Sequence, residues 1–344
     1  MPVSALLLLG TLLGPIERGE ATFRPTAAEA EVPERFRLAA ATFRYELEEL
    51  RRTPTYTVSA LRFPSPITTP DPENNTVHAE YFRPEGPGRR PAVIVLHILG
   101  ADFALSRYLA ARLADRGVAA LFVKLPYYGE RRPAGSGKRF LSVDVHRSIT
   151  AMRQGVCDVR RAAAWLAGRA EVDPAKLGVT GISLGGIVSS LAAAIDPTLN
   201  RAAVMLAGGH LADILWEMPE GRPYRALWIA AGGTKADLEA LTRPFDPLTY
   251  AHRLRGKRLL MIAGNADEVI PPRAARALWE AAGRPPICWL DCGHYSAVGY
   301  LLPAFRQTVA FFAAELPPEA EPRPGICSDP ATSDRGAARV AGPE

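Results

Sequence analysis

The sequence is poor in lysine and in long apolar runs. Only five of its 41 basic residues are lysine, and the arginines are scattered among 36 acidic residues. A nucleic-acid surface needs basic residues clustered on one face with aromatic residues between them, so the formal net charge of +5 does not predict nucleic-acid binding. No stretch approaches the roughly 18 apolar residues of a membrane span, which argues against stable membrane insertion.

The sequence also has few cysteines. Four cysteines in 344 residues do not form the disulfide framework of a small secreted domain. Cys288 and Cys292 flank a predicted strand, where four residues span about 13 Å, beyond the reach of a disulfide bond. The cysteines form no metal-binding motif either, so all four are predicted to be small buried residues.

The two ends of the chain differ in character from its middle. Residues 1–33 are expected to be a leader and linker, in which the apolar run Ala5–Leu13 has the length of a signal-peptide core. No lysine or arginine precedes that run, so export and a cytoplasmic location both stay open. Residues 316–344 are rich in proline, glutamate, arginine and serine and predict a disordered tail.

Residues 34–315 are predicted to form one domain of the α/β class. Apolar spacing over 34–52 predicts an extra helix, and alternation over 55–63 and 77–82 predicts an antiparallel pair of strands. Short apolar runs then begin at residues 92, 118, 177, 202, 259 and 287, and they alternate with helical patterns at 103–116, 143–168, 184–194, 273–282 and 298–314. This alternation predicts a mostly parallel, doubly wound sheet.

The segment from about Gly208 to Lys257 is longer than one crossover between strands requires. It is interpreted as a cap inserted beside the site, with two ordinary helices and an edge strand as the alternative. In open α/β sheets the ligand binds at the carboxyl ends of the strands, which is where the candidate residues must be sought.

The strongest motif is Gly181-Ile-Ser183-Leu-Gly185, between a predicted strand and an apolar helix. A serine on so sharp a turn takes a strained backbone conformation, and glycines at 181 and 185 avoid collisions with the neighbouring elements. The turn exposes the Ser183 hydroxyl at a helix N-terminus, which favours developing negative charge. Ser183 is therefore the candidate nucleophile, with a simple helix-capping serine as the alternative.

A serine nucleophile needs a base and an acid that orients the base. His294 directly follows the last strand and is the candidate base, whereas His252 falls in a helical pattern. Asp267 follows the preceding strand and is the candidate acid. Glu268 is its nearest competitor, Asp291 lies too close to His294 in sequence, and Asp246 fits a helix cap better.

The oxyanion of the reaction needs two backbone N–H donors. The amide of Leu184, directly after the nucleophile, is one candidate, and Leu99 in the loop after the first parallel strand is the other, with Ile98 as its alternative. His97 in that loop is interpreted either as part of the oxyanion loop or as a buried structural histidine. The next strand is followed by Leu125-Pro-Tyr127-Tyr128-Gly-Glu-Arg131. There Tyr127 and Tyr128 are predicted to bind substrate and Arg131 to meet an anionic substrate, with a surface turn as the alternative.

These three separated motifs resemble the α/β-hydrolase superfamily over about residues 55–315. The stretch Asp158-Val-Arg-Arg-Ala-Ala-Ala-Trp to Gly181-Ile-Ser-Leu-Gly-Gly186 is similar to the branch that contains dienelactone hydrolases, acetyl xylan esterases and prolyl oligopeptidases. The resemblance implies ester or peptide hydrolysis without a metal ion or an organic cofactor. These families usually have His-Gly in the oxyanion loop, and Ile98 stands where that glycine would be.

Together these features predict a serine esterase acting on a small-molecule ester through an acyl-enzyme. A prolyl-oligopeptidase-like peptidase would use the same three side chains, but no long additional domain is present to admit peptides selectively. An acyltransferase and a non-catalytic binding protein on the same fold are further alternatives, because a fold alone does not fix function.

Overall fold

The computed structural model describes residues 16–100 and 103–313 of the chain. These residues form a ten-stranded sheet in the order β1-β2-β3-β4-β6-β5-β7-β8-β9-β10. The strands are β1 (Ile16–Phe23), β2 (Ala41–Arg52), β3 (Tyr56–Pro64), β4 (Thr76–Pro84), β5 (Arg90–Leu96), β6 (Ala119–Val123), β7 (Val172–Ile182), β8 (Leu199–Met205), β9 (Arg258–Gly264) and β10 (Ile287–Leu290). β1 to β4 pair antiparallel, β4 pairs antiparallel with β6, and the rest of the sheet is parallel.

The helices of the described residues cover both faces of the parallel strands and separate them along the chain. They are α1 (Ala104–Asp115), α2 (Val145–Ala167), α3 (Leu184–Ile195), α4 (Leu211–Glu217), α5 (Arg222–Ala230), α6 (Lys235–Thr242), α7 (Pro247–Tyr250), α8 (Pro272–Ala281) and α9 (Leu301–Ala313). All five residues of β6 are buried, which explains why such strands are continuous apolar runs in the sequence. The α/β-hydrolase fold and its six parallel strands are confirmed.

The N-terminal part of the sheet is larger than the predicted strand pair. The expected helix over 34–52 was wrong, because residues 34–36 form one 3₁₀ turn and residues 41–52 form β2. Phe43 and Leu47 are both buried in β2. A spacing of four residues puts two side chains on one face of a helix and also on one face of a strand, so it did not discriminate between them.

Residues 16–33, expected to be leader and linker, are folded onto the domain. β1 pairs with β2 along its full length, and a 3₁₀ turn over 27–31 follows it. Glu29 in that turn forms an ion pair with the buried Arg160 of α2, at 2.6 Å between Oε2 and Nη2. The apolar run at 5–13 and the predicted tail at 316–344 lie outside the described residues.

The long connection between β8 and β9 contains α4 to α7, as expected for the inserted cap. α6 begins with a capping box in which Thr234 and Asp237 satisfy each other's backbone amides. α5 has no buried residue, so this helix lies on the outside of the cap.

All three described cysteines are buried, as expected for small core residues. Cys157 and Cys292 are free and buried. Cys288 is disulfide-bonded, which the sequence did not predict, and its bond is not to Cys292, as expected from the strand between them. Over residues 16–100 and 103–313, no helix combines the length and the apolar character that crossing a membrane requires.

Candidate active site

The connections from β5 to β6 and from β6 to β7 run in opposite directions across the sheet, and β5 and β7 are adjacent. Such a reversal opens a crevice at the carboxyl ends of the strands. Ser183 lies directly after β7, and the loop that begins at His97 lies directly after β5. The sheet therefore brings the two motifs together at its switch point.

Ser183 occupies the sharp turn between β7 and α3. Its φ is 54° and its ψ is −118°, a conformation that a residue with a side chain rarely adopts. The Ser183 amide donates to the carbonyl oxygen of Met205 at 2.9 Å, so β8 holds the strained backbone in place. Strain of this kind is concentrated at functional sites, where the surrounding structure enforces it.

The flanking glycines are required by close backbone contacts. A Cβ atom at Gly181 would lie 2.4 Å from the carbonyl carbon of Gly185. One at Gly185 would lie 2.6 Å from the carbonyl oxygen of Leu96, at the end of β5. The turn therefore packs directly against the strand whose loop was predicted to supply an oxyanion donor.

Ser183, His294 and Asp267 form a continuous chain of hydrogen bonds. The His294 Nδ1 lies 2.8 Å from Asp267 Oδ2, and its Nε2 lies 3.0 Å from Ser183 Oγ. A carboxylate only accepts hydrogen bonds, so Nδ1 carries the proton and Nε2 is free to accept from the serine hydroxyl. Asp267 is almost fully buried, and the His294 side chain is 12% exposed. This is the arrangement in which an imidazole can remove the proton of a serine.

Asp267 and Glu268 hold different parts of the histidine. Asp267 Oδ1 accepts from the amides of Val269 and Ile270 at 2.9 and 2.7 Å, which fixes the carboxylate. Glu268, the competing candidate acid, accepts instead from the backbone amide of His294 at 2.8 Å. A Cβ atom at Gly293 would lie 2.4 Å from this Glu268 carboxylate, so a side chain at position 293 would displace the carboxylate.

The other candidate acids and the other histidine lie outside this chain of bonds. Asp291 accepts from the side chain of Asn265 at 3.1 Å. Asp246 caps α7 and accepts from the amide of Leu211 at 2.7 Å, which agrees with its expected capping role. His252 is exposed in a 3₁₀ turn.

Ser183 and His294 line a cavity of about 650 Å³. Leu99, Ile98 and Tyr128 line it, so both candidate residues of the oxyanion loop reach the site. Leu184 is the first residue of α3, where a backbone amide has no partner within the helix. A larger cavity of about 710 Å³ between β1 and α2 includes neither Ser183 nor His294.

His97 is a structural histidine. It is fully buried, its Nδ1 donates to the carbonyl oxygen of Ile98 at 2.7 Å, and its Nε2 accepts from the Leu125 amide at 3.0 Å. Burial lowers the pKa of His97 to about 4, so the ring is neutral near pH 7. His97 therefore joins the loop after β5 to the loop after β6 at the rim of the cavity.

The tyrosine pair divides between core and cavity. Tyr127 has a φ of 65°, and its hydroxyl donates to Asp71 at 3.1 Å in a buried position. It does not line the cavity, so the predicted substrate contact of Tyr127 is corrected to a structural role. Tyr128 does line the cavity, with its ring centre 4.4 Å from that of His97. Burial raises the pKa of Tyr128, and the nearby Arg132 and Arg139 oppose that rise.

Arg131, predicted to meet an anionic substrate, is fully buried and therefore cannot do so. Its guanidinium forms an ion pair with Asp158 at 2.8 Å and donates to the carbonyl oxygens of Asn74 and Lys124. It thereby fixes the loop after β6 to α2. The neighbouring Arg132 lines the cavity instead.

Several residues that line the cavity were not predicted from the sequence. Leu206 could have been predicted as a lining residue, because it directly follows β8 and side chains there lie at the carboxyl edge of the sheet. The others come from the cap, from the loop after β6 and from the segment after His294, and no motif marks them: Arg132, Arg139, Met218, Glu220, Tyr224, Tyr295 and Val298.

Comparison with known proteins supports the assignment of the fold. An acetyl xylan esterase from Paenibacillus sp. R4 is similar with a TM-score of 0.61 and 19% identity, covering 82% of this chain and 91% of that one. An acylaminoacyl peptidase from Pyrococcus horikoshii has a TM-score of 0.57 and 16% identity, covering 82% and 49%. At these identities the likeness shows the α/β-hydrolase fold alone.

The family is shown by a match to the model of alpha/beta hydrolase domain containing 18 over residues 33–212, just over half of the chain. The chain belongs to this family. The matched range includes Ser183 and Tyr128 but neither Asp267 nor His294.

An uncharacterized protein of Mycobacterium tuberculosis, Rv2627c, is 28% identical over 230 residues, which cover 64% of this chain and 53% of that protein. The chain thus spans about half the length of this relative.

Proposed function

We propose that the protein is a serine hydrolase that cleaves carboxylic esters of small or medium size through an acyl-enzyme. The observation that carries this proposal is the hydrogen-bonded chain from Asp267 through His294 to Ser183, open to a cavity. Similar folds are found in proteins described as esterases, which is consistent with the proposal.

In the first half of the reaction, His294 Nε2 takes the hydroxyl proton while Ser183 Oγ bonds to the ester carbonyl carbon. The carbonyl electron pair moves to its oxygen, where the amides of Leu184 and Leu99 are the proposed donors. The C–O bond to the alcohol then breaks, and His294 gives its proton to the departing oxygen. Asp267 stabilises the imidazolium that forms between these steps.

In the second half, water replaces the alcohol. His294 takes a proton from water as the water oxygen attacks the acyl carbon, and the proton returns to Ser183 Oγ when the acid leaves. The sum is ester and water giving acid and alcohol. Each donor in the oxyanion site is worth about 3–4 kcal/mol in comparable enzymes.

The test is hydrolysis of p-nitrophenyl esters with acyl chains from two to twelve carbons, together with labelling by a fluorophosphonate. Ser183→Ala is expected to lower kcat by about 10⁴-fold or more and to abolish labelling, because it removes the atom that forms the acyl-enzyme. His294→Ala should cause a similar loss of kcat.

Ser189→Ala is the matched control. Ser189 lies on the same helix, is fully buried, and its hydroxyl has no hydrogen-bond partner within the described residues. Its activity and labelling should match those of the wild type. Labelling or hydrolysis that survives in Ser183→Ala would contradict the proposal, and so would a wild-type protein that neither reacts with the probe nor cleaves any ester.

A further inference from the structure

The described residues that line the cavity with Ser183 carry an excess of positive charge. Apart from His294, the charged side chains that line it among residues 16–100 and 103–313 are Arg132, Arg139 and Glu220. Two arginines and one glutamate leave a net charge of +1 there. The rest of the lining is mostly apolar and includes Leu99, Leu141, Met218 and Val298.

Neither arginine is neutralised by a carboxylate of the described residues. Arg132 Nε donates to the carbonyl oxygen of Tyr127 at 3.2 Å, which anchors the side chain but leaves its two Nη groups for another acceptor. Arg139 is exposed on the same loop. Both arginines line the cavity, and both guanidinium groups oppose the rise in the pKa of Tyr128, so each acts electrostatically on that hydroxyl.

Two buried arginines of this chain, Arg131 and Arg160, are both paired with carboxylates. Arg131 is paired with Asp158 at 2.8 Å, and Arg160 with Glu29 and Asp196 at 2.6 and 3.1 Å. A guanidinium binds a carboxylate in a fork of two parallel hydrogen bonds, which gives both strength and orientation. Among the described residues, Arg132 and Arg139 have no such partner, and they line the same cavity as the candidate nucleophile.

We propose that the substrate is an ester that also carries a carboxylate, and that Arg132 and Arg139 bind this carboxylate while Ser183 attacks the ester. The inference rests on the proposed hydrolase function. The net charge of +1 on the described lining residues suits a monoanion, and Glu220 disfavours ligands of higher negative charge. The apolar lining accommodates the carbon skeleton between the two groups. Arg132 and Arg139 are thereby specificity-determining residues.

The test compares pairs of esters that differ only in a carboxylate or an uncharged amide at the same position. One pair places the group on the acyl side: p-nitrophenyl hydrogen adipate and its terminal amide. The other places it on the alcohol side: 4-carboxyphenyl and 4-carbamoylphenyl butanoate. The ratio of kcat/KM within each pair, at pH 7.5 and low salt, measures the preference for the anion and shows which side carries it.

The wild type is expected to prefer the carboxylate by about tenfold in at least one pair, since hydrogen bonds to charged groups contribute that much or more. The ratio should fall to about one in the Arg132→Gln/Arg139→Gln double variant. It should rise two- to threefold in Glu220→Gln, which removes a like charge, and fall in concentrated salt. Arg89→Gln is the matched control, because the exposed Arg89 precedes β5 at the opposite edge of the sheet.

A second measurement separates this inference from the proposed function. Binding of monomethyl adipate and of its amide to Ser183→Ala is followed by calorimetry, with and without the two arginine substitutions. If no ester is cleaved but the anion binds through the arginines, the proposed function fails and the site stands. Cleavage of neutral esters, with no carboxylate preference and no difference in binding, would overturn the inference.

Discussion

Two helices beside the cavity differ sharply in how the protein holds them. All twelve residues of α3, which begins next to Ser183, are buried. None of the nine residues of α5 in the cap is buried, although Tyr224 of this helix lines the cavity. A helix that is packed on all sides is fixed in position by its many contacts. The proposed nucleophile therefore lies next to a helix that is fixed by packing, whereas α5 of the cap has no buried residue to fix it in the same way.

The largest expected effect on stability is in α3. Leu191→Ala should lower the free energy of unfolding by about 2–5 kcal/mol, because Leu191 is fully buried and the truncation leaves a cavity. Urea unfolding measures this loss through the transition midpoint. A change below 1 kcal/mol would mean that α3 is not the fixed element that its burial indicates.

The free energy of unfolding should also depend on pH, because His97 is buried in its neutral form. Its pKa is about 4 in the folded protein and about 6.5 when unfolded, so between these values the unfolded chain binds the extra proton. The contribution of the neutral ring is therefore complete above pH 6.5 and is lost as the pH falls to 4, by at most about 3 kcal/mol.

His97→Gln separates this contribution from that of the carboxyl groups. Unfolding free energies of wild type and variant are compared from pH 7.5 to pH 4.5. The wild type should be more stable at the upper end, and its advantage should shrink toward acid. Two curves that stay parallel would show that His97 does not remain neutral through burial.

The smallest expected effect is in the cap. Leu227→Ala makes the same chemical change as Leu191→Ala, but Leu227 is 58% exposed. Its effect on the free energy of unfolding should stay within about 0.5 kcal/mol. A loss as large as that of Leu191→Ala would remove the contrast between the two helices and would indicate that α5 packs against another part of the protein.

The sequence predicted the parallel half of the sheet well, because fully buried strands are apolar throughout and the intervening helices have their own period. It also predicted which residues would follow β7, β9 and β10, and the structure brings Ser183, Asp267 and His294 into contact. It failed at β2, where Phe43 and Leu47 satisfy the helical and the extended period equally.

In the loop after β6, the sequence could not show which of two adjacent residues lines the cavity and which is buried. The positive φ of Tyr127 directs this residue to Asp71 and leaves Tyr128 at the cavity. In the same way Arg131 is buried against Asp158 while Arg132 reaches the cavity. Such choices depend on partners distant in sequence, which local patterns do not contain.

The backbone conformation of Ser183 has a consequence for the protein as a whole. A non-glycine residue in such a region costs about 1–3 kcal/mol, a considerable part of the 5–15 kcal/mol by which domains are usually stable. Glycine would relieve this strain, but it has no hydroxyl to offer. Stability therefore favours glycine at position 183 and reactivity favours serine. The folded protein is less stable with serine there, but it keeps a hydroxyl oxygen at the mouth of the crevice.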